Sequence, residues 1–180
     1  MVSVNLSPAQ FHRGDVLQTV AQALEVSGLA ANRLQLELTE DVFVGTSEPV
    51  LRILRTLKAK GVAIAVDDFG TGHSSLGSIQ KFTFDMIKID RSFVHNMGFD
   101  RTASAIIQAV LDLGRRLGVQ VVAEGVEMEL QLQRLLMLSC ERAQGHLLGR
   151  PIVSPQLSVV SCQTEGHWPN LANLTRLESM

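Results

Sequence analysis

The sequence contains no tyrosine, a single tryptophan (Trp168), and only 4 % aromatic residues. A stacking platform for single-stranded nucleic acid needs several rings, so that partner is excluded. Positive charge is not in excess either: sixteen Lys and Arg stand against eighteen Asp and Glu, a net charge of −2. A nucleic-acid polymer would ask for a basic face. The two cysteines, Cys140 and Cys162, are too few for a disulfide framework and do not form a metal-type pair. The five histidines, His12, His73, His95, His146 and His167, are scattered and give no zinc-type spacing. No run of 18 apolar residues is present, so no transmembrane helix is expected. The opening MVSVNLSPAQ lacks the basic stretch and apolar core of a signal peptide. Together these absences fit a reduced, cytoplasmic setting.

What is present is a globular composition: 180 residues, 46 % apolar and 19 % charged, enough for one domain of ordinary size. Short apolar runs alternate with longer amphipathic stretches. Strands are expected at Val2–Leu6, Leu34–Thr39, Val62–Asp67, Met86–Asp90 and Val119–Glu124, with a weaker one near Arg142–His146. Ser47 is placed to cap a helix carrying Leu51, Leu54 and Leu57, with Gly61 past its end. Asp100 is placed to cap a longer helix whose apolar face holds Ile106, Ile107, Val110, Leu111 and Leu117, with Gly118 as its stop. A further helix is expected over Met128–Leu138. From about Cys162 the chain reads as a polar tail, which divides it into 1–161 and 162–180. Strand–helix repetition with short links calls for a parallel sheet.

Side-chain alternation separates two faces of that sheet. Val2, Val4 and Leu6, then Leu34, Leu36 and Leu38, then Val62, Ile64 and Val66, then Ile87 and Ile89 form a branched apolar face suited to helices. The opposite face is small or polar and ends in functional groups: Asn5, Glu37, Asp67 with Asp68, Lys88 and Glu124. A doubly wound sheet is apolar on both faces. A (β/α)₈ barrel instead keeps a polar cluster at the C-terminal mouth, but it needs eight strands and typically ~250 residues. The barrel reading therefore expects two further strands ahead of the first one here. Carboxylates gathered at one rim repel unless cations lie between them, and hard oxygen donors in that number suit Mg²⁺ or Mn²⁺. The plainer reading is that each strand-end acid caps the helix that follows it.

Six segments stand out together: VNLS at Val4–Ser7, ELTE at Glu37–Glu40, DDFGTG at Asp67–Gly72, KID at Lys88–Asp90, AEGVE at Ala123–Glu127, and Gln144-Gly145 followed by Pro151. In order and spacing they resemble the EAL-domain family, the cyclic di-GMP phosphodiesterases, over about residues 2–152. The resemblance implies a modified (β/α)₈ barrel, here with about six βα units. It implies metal-dependent hydrolysis of c-di-GMP to linear pGpG, with Mg²⁺ or Mn²⁺, a pair of ions in the full domain. It carries metal-ligand roles onto Asn5, Glu37, Asp67, Asp68 and Glu124. Lys88 matches a lysine that orients the catalytic water, and Glu124 is also a candidate base. Glu127 and Gln144 match further active-site positions, while Glu40, Gly70 and Gly72 match the loop after Asp68, which in the family links the site to dimerisation. Sensory or GGDEF domains in a longer chain, and a homodimer or pairing with a preceding segment, are the partners it implies.

One departure matters. The Glu-Ala-Leu segment that gives the family its name does not occur; Ala23-Leu24-Glu25 has those letters in another order on a helix. A catalytically silent receptor or interaction module on the same scaffold therefore stays open beside the enzyme. Plainer readings stay open for single residues as well. Lys88 could be a structural ion pair with Asp90 or Glu124, Gln144 a surface amide, and Gly70 and Gly72 an ordinary strand–helix turn.

Overall fold

The computed structural model describes residues 1–13, 15–43, 48–72 and 82–151. The capping role expected of Ser47, the stretch after Gly72 that holds His73 and Leu76, and the tail with Cys162 and Trp168 lie outside the described residues.

Among the described residues, six strands form one all-parallel sheet in sequential order. They are β1 (Val2–Asn5), β2 (Leu34–Thr39), β3 (Ala63–Phe69), β4 (Met86–Ile89), β5 (Gln120–Ala123) and β6 (Arg142–Ala143). Each pairs in parallel with its neighbour in sequence. The connections carry α1 (Pro8–Arg13) and α2 (Val16–Ser27) after β1, and α3 (Glu48–Ala59) after β2. They continue with α4 (Arg91–Asn96) and α5 (Arg101–Leu117) after β4, and α6 (Glu129–Met137) after β5. Uniform parallel pairing between successive strands, with helices between them, is the arrangement of an arc of a (β/α) barrel.

The alternation seen in the sequence sets which face does what. Leu36, Leu38, Ile64, Val66, Ile87 and Ile89 are almost wholly buried and form one core with Leu54, Leu57, Ile107 and Leu135 from the helices. Full burial of one such side chain contributes roughly 1.5–3 kcal/mol. On the other face, Ala65, Met86 and Val122 make a small separate apolar layer beneath the polar strand ends. The strand starts surround a cavity of about 590 Å³ whose lining includes Gln35, Ala63, Asp85, Met86 and Gln120 and none of Glu37, Asp67, Lys88 and Glu124.

The caps are local chemistry. Asp100 accepts a hydrogen bond from the Thr102 amide at 2.7 Å, and Gly118 ends α5 in the left-handed region, as expected. Three expectations are corrected. Leu117 is 46 % exposed, because it lies at the last turn of α5, beyond the sheet. Val2 and Val4, expected under helices, are 48 % and 45 % exposed; β1 is an edge strand whose only paired neighbour among the described strands is β2. The last strand is two residues, not five, although backbone bonds from Gln144 N to Ala123 O (2.8 Å) and Val126 N to Gln144 O (3.1 Å) carry its contact with the β5 side onward.

Candidate active site

Polar side chains on the inner face join into one hydrogen-bonded chain that crosses the sheet. Lys88, on β4, is at its centre. Its Nζ lies 2.8 Å from Glu37 Oε2 on β2, 3.1 Å from Asp67 Oδ1 on β3, and 2.7 Å from Glu124 Oε1 just past β5. The parallel register staggers these residues toward the strand ends: Glu37 is in register with Ala65, two residues before Asp67, and Lys88 with Val122, two residues before Glu124. From the far edge, Gln144 Nε2 donates to Glu124 Oε1 at 3.1 Å. On the near side, Gln35 Nε2 donates to Glu37 Oε1 and to Ser3 Oγ, both at 3.2 Å.

The ammonium is stabilised by this company. Burial of Lys88 opposes its charge, yet the hydrogen bonds to Glu124 and Glu37 and the fields of Glu124 and Asp67 outweigh it and raise its pKa. Burial raises the pKa of Glu124, and Lys88 only partly offsets that, which leaves Glu124 a more basic carboxylate than an exposed one. Three carboxylates against one ammonium leave two negative charges uncompensated.

Asp68 faces elsewhere. Its backbone is in the left-handed region, φ 53°, uncommon for a non-glycine residue. Burial, then the nearby Asp67 and Asp90 charges and a hydrogen bond with Asp90, raise its pKa. Burial also acts on Asp90, but hydrogen bonds from Ser92, the Arg91 backbone and Asp68 prevail and lower its pKa. Asp90 is one of the two ion-pair partners expected for Lys88. It instead caps α4, accepting from the Ser92 amide at 3.0 Å. Of the two structural ion pairs considered for Lys88, the one with Glu124 forms.

The remaining expected residues divide. Asn5 lies on β1 in register with Glu37 and is exposed. Glu40 is 4 % exposed; its Oε2 accepts from the Gly70 amide at 3.0 Å and the Gly72 amide at 3.4 Å, while its Oε1 is buried with no hydrogen-bond partner among the described residues. Glu127 is exposed, and its backbone amide donates to Gln131 Oε1 at 2.8 Å; among the described residues its side chain does not join the Lys88 cluster. Gln144 does join it, though exposed. Sequence reasoning missed Gln35, which is 4 % exposed. A glutamine two residues before a strand-end glutamate, on the same inward face, was the available signal.

Close backbone approach fixes the last two segments. A Cβ on Gly145 would lie 2.2 Å from both the N and the O of Val126. Gly125 has φ 71°, and a Cβ there would lie 2.5 Å from Arg91 Cβ. The stretch Glu124–Glu127 is thus threaded between α4 and the β6 side with no room for a side chain at either glycine.

The sequence profile of the EAL domain matches residues 1–151. The chain belongs to the EAL domain family. The bifunctional diguanylate cyclase/cyclic di-GMP phosphodiesterase MucR of Pseudomonas aeruginosa is 42 % identical over 156 residues, covering 87 % of this chain and 23 % of that protein. The solved structure of PaMucR phosphodiesterase in complex with c-di-GMP superposes with a TM-score of 0.81 at 42 % identity, covering 86 % of this chain and 63 % of that one. A manganese/c-di-GMP complex of Klebsiella pneumoniae BlrP1 superposes with a TM-score of 0.76 at 31 % identity, covering 83 % and 38 %. The chain spans about a fifth of the length of the curated relatives it matches, 18 %, 19 % and 23 % for three of them. The barrel-type fold inferred from strand alternation agrees with these neighbours. No helix among the described residues is long and apolar enough to cross a membrane.

The EAL donor set in this chain is all oxygen and carries surplus negative charge, the chemistry that a hard divalent cation satisfies. Lys88 already stands there as a cation held by three carboxylates. Among the described residues, no three acidic, cysteine or histidine side chains are disposed around one ion. Glu37, Asp67 and Glu124 each direct one oxygen to the Lys88 ammonium.

Proposed function

We propose that this domain hydrolyses c-di-GMP to linear pGpG with the help of Mg²⁺ or Mn²⁺, as a pair of ions. The observation that carries the reading is the convergence of Glu37, Asp67 and Glu124 on Lys88 Nζ within 3.1 Å. Relatives named for cyclic di-GMP phosphodiesterase activity, and neighbours solved with c-di-GMP, support it. Asn5, Glu37, Asp67, Asp68 and Glu124 would hold the ions. Bound there, divalent ions supply an activated water and charge compensation for the phosphodiester.

The chain's own residues do the rest. Lys88 orients the attacking water and carries a positive charge toward the phosphate. Glu124, made more basic by burial, takes the proton from that water, and Gln144 holds its Oε1 in place. Glu127 lies at the exposed rim, on the substrate side. Glu40 ties down the Gly70 and Gly72 amides and so fixes the loop that carries Asp68. One water is added and one of the two phosphodiesters opens.

A second reading has one observation in its favour. Lys88 fills the centre of the acid cluster, as it would in a silent c-di-GMP receptor or interaction module. The test is conversion of c-di-GMP by the purified chain with Mn²⁺, with Mg²⁺ and with neither, followed by separation of pGpG. Turnover that needs a divalent ion and is abolished in Glu124→Gln supports the enzyme. Saturable c-di-GMP binding with no product supports the receptor. For partners, the reading includes a GGDEF or sensory domain in a longer chain, a cytoplasmic setting, and a second copy or a further strand against the open β1 edge.

A further inference from the structure

We infer that Gln35 is a positioning residue that presents Glu37 to a divalent cation through one defined carboxylate oxygen. The inference rests on the metal-dependent reading above and concerns a residue that no motif of the site contains. Gln35 and Glu37 are two apart on β2, so both side chains point to the inner face. Both are buried, at 4 % and 8 % exposure. The Gln35 amide nitrogen has two N–H groups and both are spent: one reaches Ser3 Oγ on β1, the other Glu37 Oε1.

The two oxygens of Glu37 are therefore not equivalent. Oε1 is held from below by a neutral amide anchored to a second strand. Oε2 is held from above by Lys88 Nζ, at 2.8 Å. An incoming cation competes with an ammonium, which is a mobile charge on a flexible stem. It does not compete with the Gln35 amide, which occupies no part of the acid cluster. Oε2 becomes the ligating atom and Oε1 stays tethered. The tether fixes the torsion of the carboxylate before any ion arrives, so less freedom is lost on binding. Hydrogen bonds of this kind, to the atoms behind a metal ligand, are typically worth about 10–100-fold in metal affinity. Ser3 extends the same device by one link, since it holds the amide that holds the carboxylate.

The test is Mn²⁺ binding by the whole chain, followed by the loss of the free-ion paramagnetic resonance signal, with circular dichroism as the check on folding. Gln35→Met keeps the length of the side chain and removes both N–H groups; its Mn²⁺ affinity should fall about tenfold or more. In a Glu37→Gln background the same change should have no further effect, because the tethered ligand is already gone. Ser3→Ala, at an exposed edge position, should cost a smaller factor and add nothing to Gln35→Met; it decides the matter should Gln35→Met fail to fold. Unchanged Mn²⁺ affinity in both single variants overturns the inference. So does an equal loss with and without Glu37, which would mark Gln35 as a general support of the fold. If the unaltered chain takes up no Mn²⁺, the metal-dependent reading falls, and the inference falls with it. Wild-type binding with indifferent variants sinks the inference alone.

Discussion

Replacing Lys88 by methionine removes one positive charge and leaves the shape of the side chain. In the native chain that charge is shared among Glu124 at 2.7 Å, Glu37 at 2.8 Å and Asp67 at 3.1 Å, and the lysine side chain is 7 % exposed. Without it, three acidic groups face one another across a space that water enters poorly. Breaking a buried ion pair by removing one partner costs about 3–5 kcal/mol, a large part of the ~5–15 kcal/mol that holds a domain together. The direction with pH follows from Glu124. Its pKa is raised by burial, and Lys88 is what restrains that rise. In Lys88→Met the folded-state value climbs further above the unfolded one, near 4.3. A group with a raised folded pKa favours the folded state below its unfolded value, and this contribution is lost as pH rises through the folded value. Urea denaturation should thus show Lys88→Met about 3–5 kcal/mol less stable than the native chain at pH 7, with the gap narrowing as pH falls. A loss below about 1 kcal/mol at pH 7, or a gap indifferent to pH, would refute the view that this ammonium neutralises the inner acids.

Two smaller perturbations test the frame around the cluster. Gly145→Ala would place a methyl 2.2 Å from two backbone atoms of Val126; overpacking of that kind costs about 3 kcal/mol, or roughly 6–12 °C in Tm for a chain this long, and a thermal melt within 1 °C of the native one contradicts it. Glu40→Ala removes the acceptor shared by the Gly70 and Gly72 amides; amide exchange there should speed up about tenfold or more, and an unchanged exchange rate means that the loop is held by something else.

The sequence reveals strand positions well where alternation is strong. Leu34, Leu36 and Leu38 could only face helices, and Glu37 had to lie opposite them. The acidic cluster was legible for the same reason, because parity in a parallel sheet converts sequence directly into facing. Alternation fails where backbone geometry departs from a strand. The left-handed turn at Asp68 brings its side chain to Asp90, and the pattern around it carries no trace of that. It fails equally at strand ends, where Asp90 leaves the sheet to cap a helix. Gln35 was missed for a different reason. Its place was right, but an amide has no charge to flag it, and its part depends on reaching two partners at once. The small residues Gly125 and Gly145 could be seen in their motifs, while the reason for their smallness needed the distance to Arg91 and Val126.

The order of the strands also bears on how the domain comes into being. Each strand pairs with its sequence neighbour, so every pairing closes a loop of modest length and none has to wait for distant parts of the chain. The Lys88 cluster is the exception, since the link from Lys88 to Glu37 spans 51 residues and passes over an intervening strand. It can be satisfied only once β2 to β5 stand side by side. Burial of the lysine and its acids therefore requires those strands to be in place together. A probe of that lysine, such as its rate of chemical modification during refolding, would serve as a clock for completion of the half-barrel.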